Sequence, residues 1–427
     1  MTGRPPADDR VNWPQTFLVP APRLVYNKTT VSNPFRPPGE GFPPFYIVSP
    51  SRMPSTTDED VPLFAEREDW ADVQPLEQYE GANPIASIFY TAEYKDATNY
   101  FRAIVKSGEK SPRVLELTEN IIRQNPAHYS AWQYRYETLL ALLPEKFDET
   151  PPLLTSELRL MDELAVQFLK TYQVWHHRRL LVPLAKQPMR ELAFIKRSLE
   201  VDAKNYHTWS YRQWLLASCY GLGAAADEAN DDSVIDDAEE VWAGELDFVD
   251  AMLSQDVRNN SAWHHRFFVV YGCRGLPSSE SERQRIFKRE LIYTKQNISL
   301  APSNPSAWNY LRGILKETGN SISVVKHFAR LYAFPHGSNE KHDIVDLDNP
   351  PPSAEAELPS VQAMEFLADV WEAEAIAKLK TEPKAAKTET DKAVEMWTAL
   401  ANEHDKIRKK YWEHRIRDAH HLLQASA

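Results

Sequence analysis

The chain has 427 residues, 42% hydrophobic and 26% charged, with a formal net charge of −12. This is an ordinary globular composition with room for a large core, and it lacks the basic footprint of a general nucleic-acid binder or of a segment suited to an anionic membrane surface. Two cysteines, Cys219 and Cys273, are too few for a disulfide framework or a cysteine-built zinc site, and no apolar run approaches the about 18 residues of a membrane span.

Residues 1–62 hold 13 of the 31 prolines, including Pro37-Pro38 and Pro43-Pro44, among few periodic apolar positions. The expectation is an extended, mobile tail. Pro5, Pro6, Asp8, Asp9 and Arg10 interrupt any signal-peptide core, so the chain reads as reduced and cytoplasmic. Sequons such as Asn27-Lys28-Thr29 are then chance matches.

From residue 63 the pattern is helical. Segments 92–104, 113–123 and 157–169 space their apolar residues by three and four, and regularly bounded β-branched runs are missing. The expectation is a single all-α repeat domain over 63–427.

One short pattern recurs five times. It reads Tyr129-Ser130-Ala131-Trp132-Gln133-Tyr134-Arg135, then Tyr172-Gln173-Val174-Trp175-His176-His177-Arg178 and Tyr206-His207-Thr208-Trp209-Ser210-Tyr211-Arg212. Asn260-Ser261-Ala262-Trp263-His264-His265-Arg266 follows, and Pro305-Ser306-Ala307-Trp308-Asn309-Tyr310-Leu311 ends the series with leucine in place of arginine. The repeat cores lie near 126–140, 170–183, 204–217, 258–271 and 303–316, with tryptophans 43, 34, 54 and 45 residues apart. A period of this size is one helical hairpin. Trp, Arg and a following apolar residue at offsets three and seven share one helical stripe. Thr171, Asn205, Asn259 and Asn304 stand four before the tryptophans, where a side chain can cap the first turn. Such hairpins stack because one cannot cover its own apolar face, which predicts a curved α-solenoid. The long interval contains 221–240, with eight acidic and no basic residues, expected to be a solvated insertion between helices. Segment 337–359 reads as irregular, 361–378 and 391–420 as closing helices, and 381–390 as the polar turn between them.

Phosphate-cradling glycine motifs, metal-protease pairs and nucleophile elbows are all missing from the sequence. The pairs His176-His177 and His264-His265 do not converge on a metal, because neighbours on a helix point about 100° apart; both are expected as surface or groove residues. The repeated Arg135, Arg178, Arg212 and Arg266 are expected to pin adjacent turns by hydrogen bonds.

The run Lys170-Thr171-Tyr172-Gln173-Val174-Trp175-His176-His177-Arg178-Arg179 resembles the second repeat of the α subunit shared by protein farnesyltransferase and type I protein geranylgeranyltransferase. Asp202-Ala203-Lys204-Asn205-Tyr206-His207 and Asp256-Val257-Arg258-Asn259-Asn260-Ser261 are similar to its third and fourth. Trp70-Ala71-Asp72, Tyr100-Phe101-Arg102-Ala103 and Ile407-Arg408-Lys409-Lys410-Tyr411-Trp412 fit in kind. The resemblance covers about residues 63–420. Thr171 in place of asparagine (which can still cap), Leu311 in place of arginine, the acidic insertion and the proline-rich tail depart from the pattern.

The resemblance implies a crescent-shaped, right-handed superhelical α-solenoid wrapped around a β subunit that carries the catalytic zinc and most of the lipid pocket. Magnesium would assist diphosphate departure, and this chain would bind no metal. The substrates implied are farnesyl or geranylgeranyl diphosphate and CaaX proteins such as Ras and Rho GTPases, with no nucleic acid and no membrane span. Lys170, Tyr172 and Tyr206 are the candidates for stabilising the leaving diphosphate, where charge builds in the transition state. Gln173 is the candidate for the peptide's terminal carboxylate, and Asn205 and His207 for the rim. The competing readings are a solvated turn lysine for Lys170 (and for Lys204, which holds the same repeat position), packed tyrosines with satisfied hydroxyls, and capping alone for Asn205. For the whole chain the alternatives are the α subunit of the Rab-modifying geranylgeranyltransferase and a non-catalytic solenoid scaffold.

Overall fold

A computed structural model describes residues 62–425 apart from 79–88, 148, 186–187, 220–232, 273–276, 278, 338–345 and 347. Residues 1–61 of the tail expected over 1–62, and residues 221–232 of the insertion expected over 221–240, lie outside the described residues. Among the described residues every regular element is helical, so the chain is an all-α solenoid of helical hairpins. It divides into two compact units, residues 1–194 and 195–427, with the boundary inside one helix.

The first unit contains α1 (Ala92–Ser107), α2 (Pro112–Gln124), α3 (Tyr129–Leu142), α4 (Pro152–Gln167), α5 (Tyr172–Ala185) and the opening of α6 (Pro188–Val201). The second continues with α7 (Tyr206–Cys219), α8 (Ser233–Gln255), α9 (Asn260–Phe267), α10 (Glu280–Leu300), α11 (Pro305–Glu317), α12 (Lys326–Ala333), α13 (Val361–Lys378), α14 (Pro383–Ala399) and α15 (Lys409–Ala425). Helix starts follow local chemistry. Thr91 accepts from the Tyr94 amide at the head of α1, and Gly108, with φ 76°, ends that helix in the left-handed conformation that costs glycine nothing.

Three expectations change. Residues 233–240, read as part of an irregular insertion, form the first turns of α8. The turn expected over 381–390 is shorter, because α14 starts at Pro383, where proline's fixed φ suits the first helical position. Thr390 lies within that helix and satisfies its hydroxyl by donating to the Ala386 carbonyl. The closing helix expected over 391–420 is broken at Asp405, whose carboxylate accepts from Trp412 Nε1 at 3.0 Å and Arg408 Nε at 2.5 Å.

The core is built around repeated carboxylates. Glu157 on α4 accepts two hydrogen bonds from Arg135 of α3, at 2.8 and 2.6 Å, and one contact from His177 of α5 at 2.8 Å. Glu245 on α8 is held in the same way by Arg212 of α7 and by His265 of α9. Glu290 on α10 takes Arg266 of α9 at 2.7 and 3.1 Å and the Tyr310 hydroxyl of α11 at 2.8 Å. Glu191 on α6 takes Arg178 of α5 at 2.7 and 3.0 Å. All four carboxylates are buried. In three places the guanidinium also lies over an aromatic ring one turn beyond its glutamate: Arg178 over Phe194, Arg212 over Phe248 and Arg266 over Tyr293. The arginines therefore join successive helices, a longer reach than the adjacent turns expected. His177 and His265 are corrected as well. Alternate members of each pair turn inward, so these two are buried while His176 and His264 stay exposed.

Burial alone would push the Glu157 carboxyl up, but the positive field of Arg135 and the contact with His177 bring it down to about 2. A carboxyl lowered by folding stabilises the fold above its unfolded value and loses that contribution as pH falls through the folded value. Acid unfolding should therefore show a Glu157-dependent loss between about pH 4.5 and about pH 2. Glu157→Gln should flatten that segment of the stability–pH curve while lowering stability at neutral pH. Breaking the pair at Glu290→Ala should cost about 3 kcal/mol, the low end for a broken buried pair, because Arg266 keeps only its contact with the more exposed Asp250 at 2.5 Å. Tyr310→Phe, which removes one donor from a carboxylate that keeps its arginine, should cost about 1–3 kcal/mol in denaturant unfolding.

Candidate functional site

The candidate residues sit in the turns that lead into α5 and α7, and those turns share one construction. In every repeat the tryptophan indole donates to the carbonyl six residues earlier: Trp132 to Pro126, Trp175 to Leu169, Trp209 to Ala203, Trp263 to Val257 and Trp308 to Pro302, all at 2.8 or 2.9 Å. The indole thus fixes the turn against the helix that follows. A second bond ties a turn to the one before it. Asn259 Nδ2 donates to Ala203 O at 3.0 Å, Asn304 Nδ2 to Val257 O at 2.7 Å, and Ser360 Oγ to Pro302 O at 2.7 Å. The same three side chains accept from amides of their own first helical turn. Each is both cap and rung.

Within the first unit, Lys170 and Tyr172 stand together at the entry to α5. Lys170 is exposed and forms no ion pair or hydrogen bond with any described residue. Tyr172, the first residue of α5, is 65% exposed. Gln173 turns the other way: it is 8% exposed, and its Nε2 donates to the Ala127 carbonyl at 3.3 Å. Thr171, expected to cap, makes no side-chain hydrogen bond among the described residues.

Within the second unit, Tyr206 opens α7 and is 68% exposed, its ring edge-on to His207 at 5.5 Å. Burial holds the His207 imidazole below the usual histidine range, which favours its neutral form at neutral pH. Asn205 is buried, accepts from the Thr208 amide at 3.0 Å and contacts Asp202, so capping is one of its functions. Lys204, the repeat equivalent of Lys170, pairs with Asp256 at 2.9 Å. The two lysines therefore differ: one ammonium is committed to a carboxylate and the other is not.

The sequence reading left out two kinds of residue. Tyr129 occupies the same repeat position as Tyr172 and Tyr206 and is 74% exposed, so its place in the repeat already marked it. The buried glutamates were also missed. Their signal is Glu-x-x-aromatic on the first helix of a hairpin, at Glu191-Phe194, Glu245-Phe248 and Glu290-Tyr293. No group of three or more His, Cys, Asp or Glu that could hold a metal ion occurs among the described residues.

Comparison with known proteins places this architecture. The protein prenyltransferase alpha subunit repeat matches residues 111–142, 154–184, 188–219, 242–273 and 287–318, which are the hairpins described above. The chain belongs to the α subunits of protein prenyltransferases, in the branch shared by farnesyltransferase and type I geranylgeranyltransferase. It is 39% identical over 275 residues to the protein farnesyltransferase/geranylgeranyltransferase type-1 subunit alpha of Dictyostelium discoideum, covering 64% of this chain and 77% of that one. A solved chain of Candida albicans protein geranylgeranyltransferase-I, complexed with GGPP, superposes with a TM-score of 0.61 at 27% identity, covering 82% of this chain and 98% of that one. Similarity to the Rab-type branch is weaker. The geranylgeranyl transferase type-2 subunit alpha of Rattus norvegicus is 29% identical over 228 residues, 52% of this chain and 37% of that one.

Lys204→Ala removes only a solvated ion pair and should change unfolding free energy by less than about 1 kcal/mol. Asn304→Ala removes a cap and a rung together and should cost about 1–3 kcal/mol. Denaturant titration of the two variants side by side separates these outcomes.

Proposed function

We propose that the chain acts as the α subunit of a heterodimeric CaaX prenyltransferase, which moves a farnesyl or geranylgeranyl group from its diphosphate to a C-terminal cysteine thiol. Its partner is a β subunit of the farnesyl or type I geranylgeranyl kind. The acceptors are CaaX proteins such as Ras and Rho GTPases, and the reaction is placed in the cytoplasm. The transfer breaks the bond between the allylic carbon and the diphosphate oxygen and joins that carbon to sulfur. Negative charge accumulates on the departing diphosphate, so preorganised donors at that point lower the barrier. Lys170 supplies a cation, and the hydroxyls of Tyr172 and Tyr206 supply neutral donors. Gln173 offers an amide N–H to the peptide's terminal carboxylate, while Asn205 and His207 line the rim.

The observation that carries this reading is the contrast between Lys170, exposed and without a counter-ion among the described residues, and Lys204, neutralised by Asp256. An ammonium already paired has less to give a second anion. Zinc and magnesium fit poorly on this chain, whose described residues present no metal-holding group; the zinc of the proposed complex belongs to the β subunit.

The test is co-expression with candidate β subunits, followed by transfer assays with CaaX peptides and both diphosphates. The complex should transfer lipid, and the chain alone should be inactive and prone to aggregate. Lys170→Ala should slow the chemical step by about 10²–10³-fold, the range for removing one preorganised donor, with assembly retained, while Lys204→Ala should change it little. Assembly without transfer to any CaaX peptide would redirect the reading to the Rab-type enzyme. Failure to assemble with every β subunit would leave the scaffold.

A further inference from the structure

The turns of the second unit are tied to their predecessors by a side chain four residues before the tryptophan, or by its counterpart Ser360 at the head of α13. The turn that presents Lys170 and Tyr172 has Thr171 there, and among the described residues Thr171 makes no such bond. The link between this turn and the one before it comes from Gln173, two residues further into the helix, and it lands one residue further along the preceding turn. Its acceptor is Ala127 O, where the pattern of the other repeats would use Pro126 O. Pro126 O takes the indole of Trp132, as Ala203 O and Val257 O take the indoles of Trp209 and Trp263 alongside their asparagines. The donor and the acceptor have both moved, and the rung is kept in function.

We infer that Gln173 is a positioning residue, standing in for the missing asparagine rung and holding the Lys170–Tyr172 turn in place for the reaction. The inference rests on the function proposed above and deepens the role given to Gln173 there. One N–H of its carboxamide is committed to Ala127 O. That bond fixes which way the amide faces and leaves the second N–H for a substrate carboxylate. A side chain that is mostly buried and bonded to a neighbouring turn is stiff, and a stiff turn keeps a flexible ammonium such as that of Lys170 within reach of a leaving group.

The test compares wild type, Gln173→Ala, Thr171→Asn and the double variant in the assembled α/β complex, with peptide and diphosphate varied separately. Gln173→Ala should lower kcat about tenfold or more through misplacement of the turn, and should speed amide exchange over residues 169–174. Thr171→Asn in the Gln173→Ala background should restore most of kcat and of the exchange protection, because an asparagine there can donate to Pro126 O as Asn259 and Asn304 do to their turns. Any rise in peptide KM should persist in the double variant, since the introduced asparagine does not replace the carboxylate contact. A Gln173→Ala variant that raises peptide KM alone, with kcat and exchange unchanged, overturns the inference, as does a kcat loss that Thr171→Asn does not relieve. If wild type transfers no lipid at all, the proposed function fails. The exchange arm still decides the rung independently.

Discussion

The structure depends on a buried carboxylate shared between hairpins. Each of the glutamates 157, 245 and 290 lies on the first helix of its hairpin, takes an arginine from the hairpin before, and takes a histidine or tyrosine from its own second helix. A lone ion moved to the interior loses several kcal/mol of solvation, and a pair recovers that only when its hydrogen bonds are nearly complete. The bidentate fork of arginine and the third donor from Trp+2 meet that condition at the carboxylate, although at Glu245 Arg212 Nη1 and His265 Nδ1 have no hydrogen-bond partner among the described residues. Apolar packing alone would tolerate one helix sliding along another. A charged pair with fixed geometry does not, so the register between successive hairpins is set at one point in each.

With register fixed in the core, the turns at one end of the hairpins are placed as a consequence. The tryptophan belongs to both systems: its ring packs in the core three residues before the arginine, and its indole N–H reaches back to the turn carbonyl. The rung from the next turn then lands on that carbonyl or its neighbour. The exposed tyrosines at positions 129, 172 and 206 and the lysines at 170 and 204 ride on these turns, so their placement derives from buried residues that no substrate touches. This separation lets surface positions differ between repeats. Lys204 has a carboxylate and Lys170 has none among the described residues, although both ride on turns fixed by an indole.

Much of this was legible in the sequence. The five-fold tryptophan pattern, four times Trp-x-x-Arg and once Trp-x-x-Leu, gave the hairpin, the solenoid class and the turns that lead to Lys170, Tyr172, Gln173, Asn205, Tyr206 and His207. The partners of the arginines were not legible in the same way. Arg135 and Glu157 are 22 residues apart, Arg178 and Glu191 only 13, and Arg212 and Glu245 fully 33. Loop lengths differ between hairpins, so no constant offset announces the pair. The histidine doublets were misread because both members were given one environment, whereas a helix sends neighbours in different directions. The boundaries of α8 and α14 were missed because a polar or acidic composition was taken for the absence of a helix. Thr390 shows why that fails: a hydroxyl that bonds back to its own helix is satisfied there.

The fifth repeat shows what the arginine is for. Leu311 replaces it and is fully buried, and the next helix offers no glutamate to receive one. Trp308 packs instead against Phe328, Tyr332 and Phe366, all within 6.5 Å between ring centres. Exchanging a buried ion pair for well-packed apolar residues is commonly neutral or stabilising, so stability alone does not account for the arginines of the earlier hairpins. What they add is a fixed geometry between the helices they join, Arg135 to Glu157, Arg178 to Glu191, Arg212 to Glu245 and Arg266 to Glu290. Beyond α11 the joints between helices change character. Aromatic packing and partly buried pairs such as Arg415 with Asp369 and Glu372 take over, in a part of the chain that carries none of the residues proposed to meet substrate.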